Sequence, residues 1–147
     1  MHLLHAFALV TILATNAARN DIEFTKDTLE VVRENVTQKR AVLVDVRSLE
    51  EWDQGHLEGS IFLPVTSIRK GVYPKKLIKT LPKKKILYTF CVVGMRAKKA
   101  AAALEKQGYT VRALKPGYDE LLKAGFERAK QQPPAKSDEG TRQRNAR

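Results

Sequence analysis

The chain has 147 residues, 43% of them hydrophobic and 29% charged, and it carries a formal net charge of +11. These values fit a single globular domain with polar ends. Because Cys91 is the only cysteine, an internal disulfide and a cysteine-based zinc cluster are excluded, and no metal site is expected.

The amino-terminal segment has the pattern of a signal peptide. Residues 1–17 contain no Lys, Arg, Asp or Glu, and their apolar stretch runs from Leu3 to Ala14. That stretch is shorter than the roughly 20 residues needed to span a bilayer, and Thr15 to Ala17 fit a cleavage site. We therefore expect residues 1–17 to be removed and the protein to be exported, either to a periplasm or as a secreted protein. No stable membrane span is expected. The alternatives to cleavage are an uncleaved anchor and a segment that is integrated into the fold.

The first elements of the domain are a helix and a buried strand. Residues 24–36 have an apolar helical face, and Thr25 or Asp27 is expected to cap its start; the face consists of Leu29, Val32 and Val36. Residues 41–46, AVLVDV, are a continuous apolar run broken only by the aspartate. Such a run is typical of a strand that is buried on both faces of a parallel sheet.

Helical and strand patterns alternate through the rest of the domain. Ser48 and Glu51 have the spacing of a capping box, and Gly55 ends the short helix that they begin. Further strands are predicted over 61–65, 86–90 and 109–114, and further helices over 75–81, 96–108 and 118–125. This alternation predicts an α/β fold with a central parallel sheet covered by helices on both faces.

The domain is expected to occupy residues 22–128. After it, residues 130–147 contain a proline pair and mixed charges without apolar periodicity. A segment of this composition cannot bury enough apolar surface to fold, so we predict a disordered tail.

Cys91 follows the predicted strand 86–90 directly and begins the loop Cys91, Val92, Val93, Gly94, Met95 and Arg96. Ligands of parallel sheets bind beyond the carboxyl ends of the strands. Gly94 tolerates a positive φ, so backbone N–H groups of the loop can converge on an anion. These N–H groups, Arg96 and the start of the next helix form an electropositive environment, which favours a nucleophilic thiolate. The alternative is a small buried side chain without chemistry.

The excess positive charge flanks this cysteine. Between Gly59 and Leu104 there is no Asp or Glu, whereas eleven residues are basic, which equals the net charge of the whole chain. Such a segment would attract small anions or an acidic protein partner. Nucleic acid is not favoured as a partner, because Tyr73 is the only aromatic residue among the lysine clusters.

Three segments resemble a known family. DVRSLEEWDQGHLEGSIFLP (45–64) resembles the rhodanese signature, CVVGMR (91–96) the active-site loop of that family, and LKPGYDELLKAGF (114–126) its closing segment. The resemblance implies one rhodanese-like domain in which Cys91 carries a sulfane sulfur as a persulfide. It further implies a small anionic donor such as thiosulfate or polysulfide, a thiol or cyanide as acceptor, and no metal or organic cofactor.

The loop also departs from the family. Its sulfurtransferases usually carry Arg where this chain has Val92, and a polar residue where it has Val93. The related phosphatases and arsenate reductases have one more loop residue, which makes room for a tetrahedral oxyanion. Two alternatives therefore stand beside sulfur transfer: a non-catalytic binding module that uses the basic face, and oxyanion chemistry.

The other residues of the 45–64 signature are interpreted as structural. These are Asp45, Arg47, Glu51, His56 and Gly59. Arg47 is expected to pair with Glu51 one helical turn on. His56 is expected to be a hydrogen-bonded structural histidine rather than a general base.

Overall fold

The computed structural model describes residues 22–130. The predicted signal peptide, and all of the predicted tail except Lys130, lie outside the described residues. Both therefore stay predictions.

The described chain folds into alternating strands and helices. The strands are β1 (Ala41–Asp45), β2 (Ile61–Phe62), β3 (Ile86–Phe90) and β4 (Val111–Ala113). The helices are α1 (Leu29–Thr37), α2 (Leu49–Gln54), α3 (Lys75–Ile78), α4 (Met95–Glu105) and α5 (Tyr118–Lys123), with a 3₁₀ turn at Val65–Ser67.

The four strands form one parallel sheet in the order β2-β1-β3-β4. At its centre β1 and β3 pair from Ala41 with Ile86 to Asp45 with Phe90. Both central strands are nearly continuous apolar runs, because a sheet covered on two sides buries both faces of each strand. The predicted α/β class and parallel sheet are confirmed.

Helices cover both faces of the sheet, as predicted. Successive strand residues point to opposite faces, so Val44 and Leu43 enter different clusters. Val44 packs in the cluster that contains α3 and α4 residues, and Leu43 packs in the one that contains α1 and α5 residues. The small side chains on the buried face of α4 allow a close approach to the sheet; they include Ala97, Ala100, Ala101 and Ala103.

The helix boundaries agree only in part with the sequence pattern. The capping box of Ser48 and Glu51 is present at the start of α2. The N-cap of α1 is Thr28, however, not Thr25 or Asp27 as expected. The Asp27 carboxylate instead accepts hydrogen bonds from Tyr88 and Arg112.

Within residues 22–130, no helix combines the length and apolarity needed to cross a membrane.

Candidate active site

Cys91 lies immediately after β3, at the carboxyl end of the sheet. Its Sγ accepts a hydrogen bond from the backbone N–H of Gly94 at 3.2 Å. Gly94 has φ +86°, the left-handed conformation that turns this N–H back toward the sulfur. The loop therefore reverses at Gly94 and encloses the sulfur; convergence of its N–H groups on an anion stays a prediction.

The sulfur is also buried. Cys91 is 1% exposed and belongs to the apolar cluster between the sheet and α4. The sequence offered two alternatives, a ligand-binding loop or a buried cysteine, and the structure combines them. A reagent reaches this sulfur only where the loop leaves an opening.

The rim of the loop is apolar and exposed. Val92, Val93 and Met95 are 44%, 71% and 66% exposed, unlike the buried cysteine beside them. Two cavities border this rim. One, of about 380 Å³, has Arg47, Glu51, Tyr118 and Arg128 in its wall. The other, of about 450 Å³, is lined by Leu29, Val92, Val93, Lys115, Pro116 and Glu120.

The segment before α5 supports the loop from one side. The backbone N–H of Tyr118 donates to the carbonyl of Cys91 at 2.9 Å. A Cβ atom on Gly117 would lie 1.9 Å from the carbonyl oxygen of Val92, so a side chain at this position would force the backbone to shift. The resemblance had marked this segment, but the contact itself could not be read from the sequence.

Phe24 supports the loop from the other side. A Cβ atom on Gly94 would lie 2.6 Å from the Phe24 ring and 3.2 Å from the Leu114 carbonyl. Phe24 is held there because it bridges to Ala113 at the edge of β4, and Thr25 N–H donates to the Ala113 carbonyl. Sequence reasoning missed Phe24, since a single aromatic residue ahead of a helix gives no signal of its partner.

Arg96 does not point freely into the loop. Its guanidinium donates to both carboxylate oxygens of Glu51, at 2.5 and 2.8 Å. The hydrogen bonds from Arg96 hold the pKa of Glu51 at about 2, below its ordinary value of 4.5. The same bonds are the main reason that the Arg96 pKa is raised, and the nearby Cys91 sulfur adds to the effect. Arg96 therefore remains charged beside the sulfur while it is paired with Glu51.

The expected pair between Arg47 and Glu51 is wrong. Arg47 instead binds Asp45, with Nη2 2.7 Å from Oδ2, and donates to the Gly55 carbonyl at 2.8 Å. Asp45 and Arg47 have 0% and 5% of their side chains exposed, and the Arg47 guanidinium lies 4.1 Å from the centre of the Tyr118 ring. Asp45 is nearer in sequence and shares its burial, which is why it takes the arginine.

The remaining signature residues form a turn after α2. His56 stacks on Trp52 with ring centroids 3.8 Å apart, and its Nδ1 lies 3.3 Å from the Trp52 carbonyl. Gly59 has φ +69° in the turn that leads to β2. These contacts fit the structural role predicted for both residues.

In residues 22–130, no three His, Cys, Asp or Glu side chains form a group that could hold a metal.

Comparison with known proteins bears on this geometry. The sequence model of the family described as "Rhodanese-like domain" matches residues 28–124. The chain belongs to the rhodanese-like domain family. The match contains the loop at Cys91, the signature around Asp45 and the start of α5.

Named relatives of this rhodanese-like chain include sulfurtransferases. The "Probable adenylyltransferase/sulfurtransferase MoeZ" of Mycobacterium tuberculosis is 32% identical over 49% of this chain and 17% of its own length. The solved structure of the human single-domain sulfurtransferase TSTD1 is 28% identical, with a TM-score of 0.55, over 65% of this chain and 92% of that one. The BH2092 protein of Bacillus halodurans has a TM-score of 0.60 at 24% identity, over 74% of this chain and 77% of that one.

These similarities support sulfur transfer as the general chemistry of the rhodanese-like domain described here. The aligned part of the chain spans only a small share of MoeZ, so the wider activity of that protein is not carried over.

Proposed function

We propose that this protein is an exported sulfurtransferase in which Cys91 carries a sulfane sulfur as a persulfide. The donor is a small anion, thiosulfate or a polysulfide, and the acceptor is a thiol or cyanide. The observation that carries the proposal is the hydrogen bond from Gly94 N–H to Cys91 Sγ at 3.2 Å. A donor aimed at the only thiol of the chain stabilises negative charge on that sulfur.

The first half of the reaction loads the cysteine. The Cys91 thiolate attacks the outer sulfur of thiosulfate, the Cys91 S–S bond forms, and the S–S bond of thiosulfate breaks as sulfite leaves with the electron pair. The Gly94 N–H and the start of α4 lie beside the reacting sulfur and can stabilise negative charge there. Arg96 contributes a nearby positive charge, reduced by its pairing with Glu51.

The second half of the reaction transfers the sulfur from Cys91 to the acceptor. An acceptor thiolate or cyanide attacks the outer sulfur of the Cys91 persulfide, and Cys91 leaves as the thiolate. The product is the acceptor persulfide or thiocyanate. No oxidant or reductant is consumed in either half, and Cys91 ends each cycle free of the added sulfur.

The basic segment supports an anionic donor. Its eleven positive residues surround the loop in sequence without a carboxylate among them. A field of this sign raises the local concentration of small anions. Export is supported by the leader pattern of residues 1–17 and is tested by amino-terminal sequencing of protein recovered outside the cytosol.

Intact-mass spectrometry tests the chemistry directly. After exposure to thiosulfate or polysulfide, the protein should gain the mass of one sulfur atom and lose it on addition of thiol or cyanide. The Cys91→Ser variant should gain nothing. Equal sulfur uptake by both proteins would overturn the assignment of Cys91.

A non-catalytic binding module is the second candidate, and the apolar, exposed rim of Val92 and Val93 favours it. In that case Cys91 would remain unmodified by every donor, although the fold is intact. Oxyanion chemistry is the weaker alternative, since Cys91 to Arg96 lacks the extra loop residue. Hydrolysis of a phosphate ester by the wild-type protein would support it.

A further inference from the structure

A third cavity lies at the opposite end of the sheet from Cys91. It has a volume of about 470 Å³ and is lined by Lys75, Ile78, Lys79, Lys83, Lys106, Gln107 and Tyr109. We call it the lysine cavity. Lys83 and Tyr109 precede the amino ends of β3 and β4, whereas Cys91 follows the carboxyl end of β3. The eleven residues of α4 separate the two regions by about 16 Å at 1.5 Å per residue.

The floor and one wall of the lysine cavity are fixed by hydrogen bonds. Tyr109 is 6% exposed, and its hydroxyl donates to the Ile78 carbonyl at 2.7 Å. The Gln107 side chain binds both the N–H and the carbonyl of Tyr73, at 2.9 Å each. Lys83 donates to the Gln107 carbonyl at 3.0 Å and lies 3.5 Å from the centre of the Tyr109 ring. Hydrogen bonds within the protein therefore define the shape of the cavity.

The charge of the lysine cavity has one sign. Four ammonium groups surround it, and none of the described residues that line it is a carboxylate. The four ion pairs found in residues 22–130 all use arginine, so none of these lysines is neutralised by one. Lys83 and Lys106 can stabilise the end of α4, where cations are favoured. Lys75 lies in α3 and Lys79 is its C-cap residue, so the cavity also collects cations from the end of this second helix.

The geometry points to a binding site for a polyvalent anion. We propose that the lysine cavity binds a small molecule with two or more phosphate groups. Several lysines can contact separate phosphates at once, and the volume lies within the range of small-molecule sites. A single-stranded nucleic acid fits less well, because the Tyr109 ring is buried and covered by Lys83 rather than open for base stacking. This site is separate from the proposed sulfur transfer.

Isothermal titration with inorganic tripolyphosphate at physiological ionic strength tests the proposal on the full chain. The pocket variant is Lys75→Gln/Lys79→Gln, since both side chains are exposed and both line the cavity. The matched control is Lys26→Gln/Lys123→Gln, which removes the same charge from exposed positions outside the cavity. The pocket variant should bind tripolyphosphate at least about tenfold more weakly, and the control should change affinity less than about threefold.

Two other anionic ligands test whether the lysine cavity prefers a lipid surface or a nucleic acid. Anionic vesicles of phosphatidylglycerol and a single-stranded oligonucleotide are titrated under the same conditions. The proposal is overturned by absence of tripolyphosphate binding, by equal weakening in the two variants, or by binding of vesicles or oligonucleotide alone. Sulfur loading of Cys91 should be unchanged in the pocket variant, so failure here leaves the proposed function untouched.

Discussion

Glu51 at the start of α2 and Arg96 at the start of α4 form a two-point ion pair across 45 residues of sequence. Glu51 is at the same time the N3 residue of the α2 capping box, because its carboxylate also accepts from the Ser48 N–H at 2.9 Å. One carboxylate therefore fixes the start of a helix and the end of the cysteine loop. Removal of this carboxylate should lower the free energy of unfolding and alter the position of Arg96 at the end of the cysteine loop.

The first prediction concerns acid stability. The Glu51 pKa is about 2 in the folded protein and 4.5 ordinarily, so its contribution is complete above about pH 5 and is lost as pH falls toward 2. Because the two side chains are 30% and 36% exposed, we expect only about 0.5–1 kcal/mol. Urea unfolding should show Glu51→Gln less stable than wild type at pH 7, with most of the difference gone at pH 3. An equal difference at both pH values would contradict this.

The second prediction concerns the buried pair of Asp45 and Arg47. Asp45→Asn leaves a buried guanidinium without its counter-charge, which should lower the free energy of unfolding by about 3–5 kcal/mol. Glu34→Gln is the matched control, since its pair with Arg40 has side chains that are more than half exposed. That change should cost less than about 1 kcal/mol. Similar losses in urea unfolding for both variants would argue against a structural role for Asp45.

The central part of the fold followed from the sequence because its signals are local. The continuous apolar runs of β1 and β3 reflect burial on both faces, and the spacing of Ser48 and Glu51 is that of a capping box. The partner of Glu51 did not follow. Arg47 is four residues away and Arg96 is 45, so sequence distance favours the wrong arginine. Burial determines which arginine pairs with Glu51, because Arg47 is buried beside Asp45 and binds that carboxylate instead.

The position of the cysteine loop could be predicted from the sequence, but the burial of Cys91 within it could not. A strand followed by Cys91 and Gly94 indicates where the loop lies and how it turns. The contacts that close it come from Phe24 and Gly117, one on each side of the loop in sequence. Neither residue has a local pattern that names its partner. Contacts of this kind depend on the tertiary arrangement.

The third prediction isolates the contact between Gly117 and Val92. Gly117 has φ −100°, which alanine adopts without strain, so the cost of Gly117→Ala comes from the clash with the Val92 carbonyl. We expect a loss of about 1–3 kcal/mol in unfolding free energy and a changed rate of Cys91 alkylation. Gly108→Ala is the control: its φ is +81°, and nothing lies within 4 Å of the added carbon. It should cost about 1 kcal/mol through strain alone and leave alkylation unchanged. Unaltered alkylation in Gly117→Ala would show that this contact does not shape the loop.

The fourth prediction concerns donor choice. Val92 is 44% exposed at the loop rim, so an arginine can replace it without entering the core. Charge-assisted hydrogen bonds to thiosulfate should lower its apparent KM about tenfold in Val92→Arg. Val72→Arg adds the same charge at a position that is 37% exposed and outside the loop. Steady-state kinetics with thiosulfate should separate the two variants. A KM that falls equally in both would mean that general charge, not position 92, governs the donor.

Phe24 covers Gly94 and bridges to Ala113, yet the match to the family begins only at residue 28. The structure around the cysteine therefore includes a residue that lies outside the matched range. A comparison restricted to residues 28–124 would leave out this aromatic ring, although the ring packs against the cluster that contains Cys91.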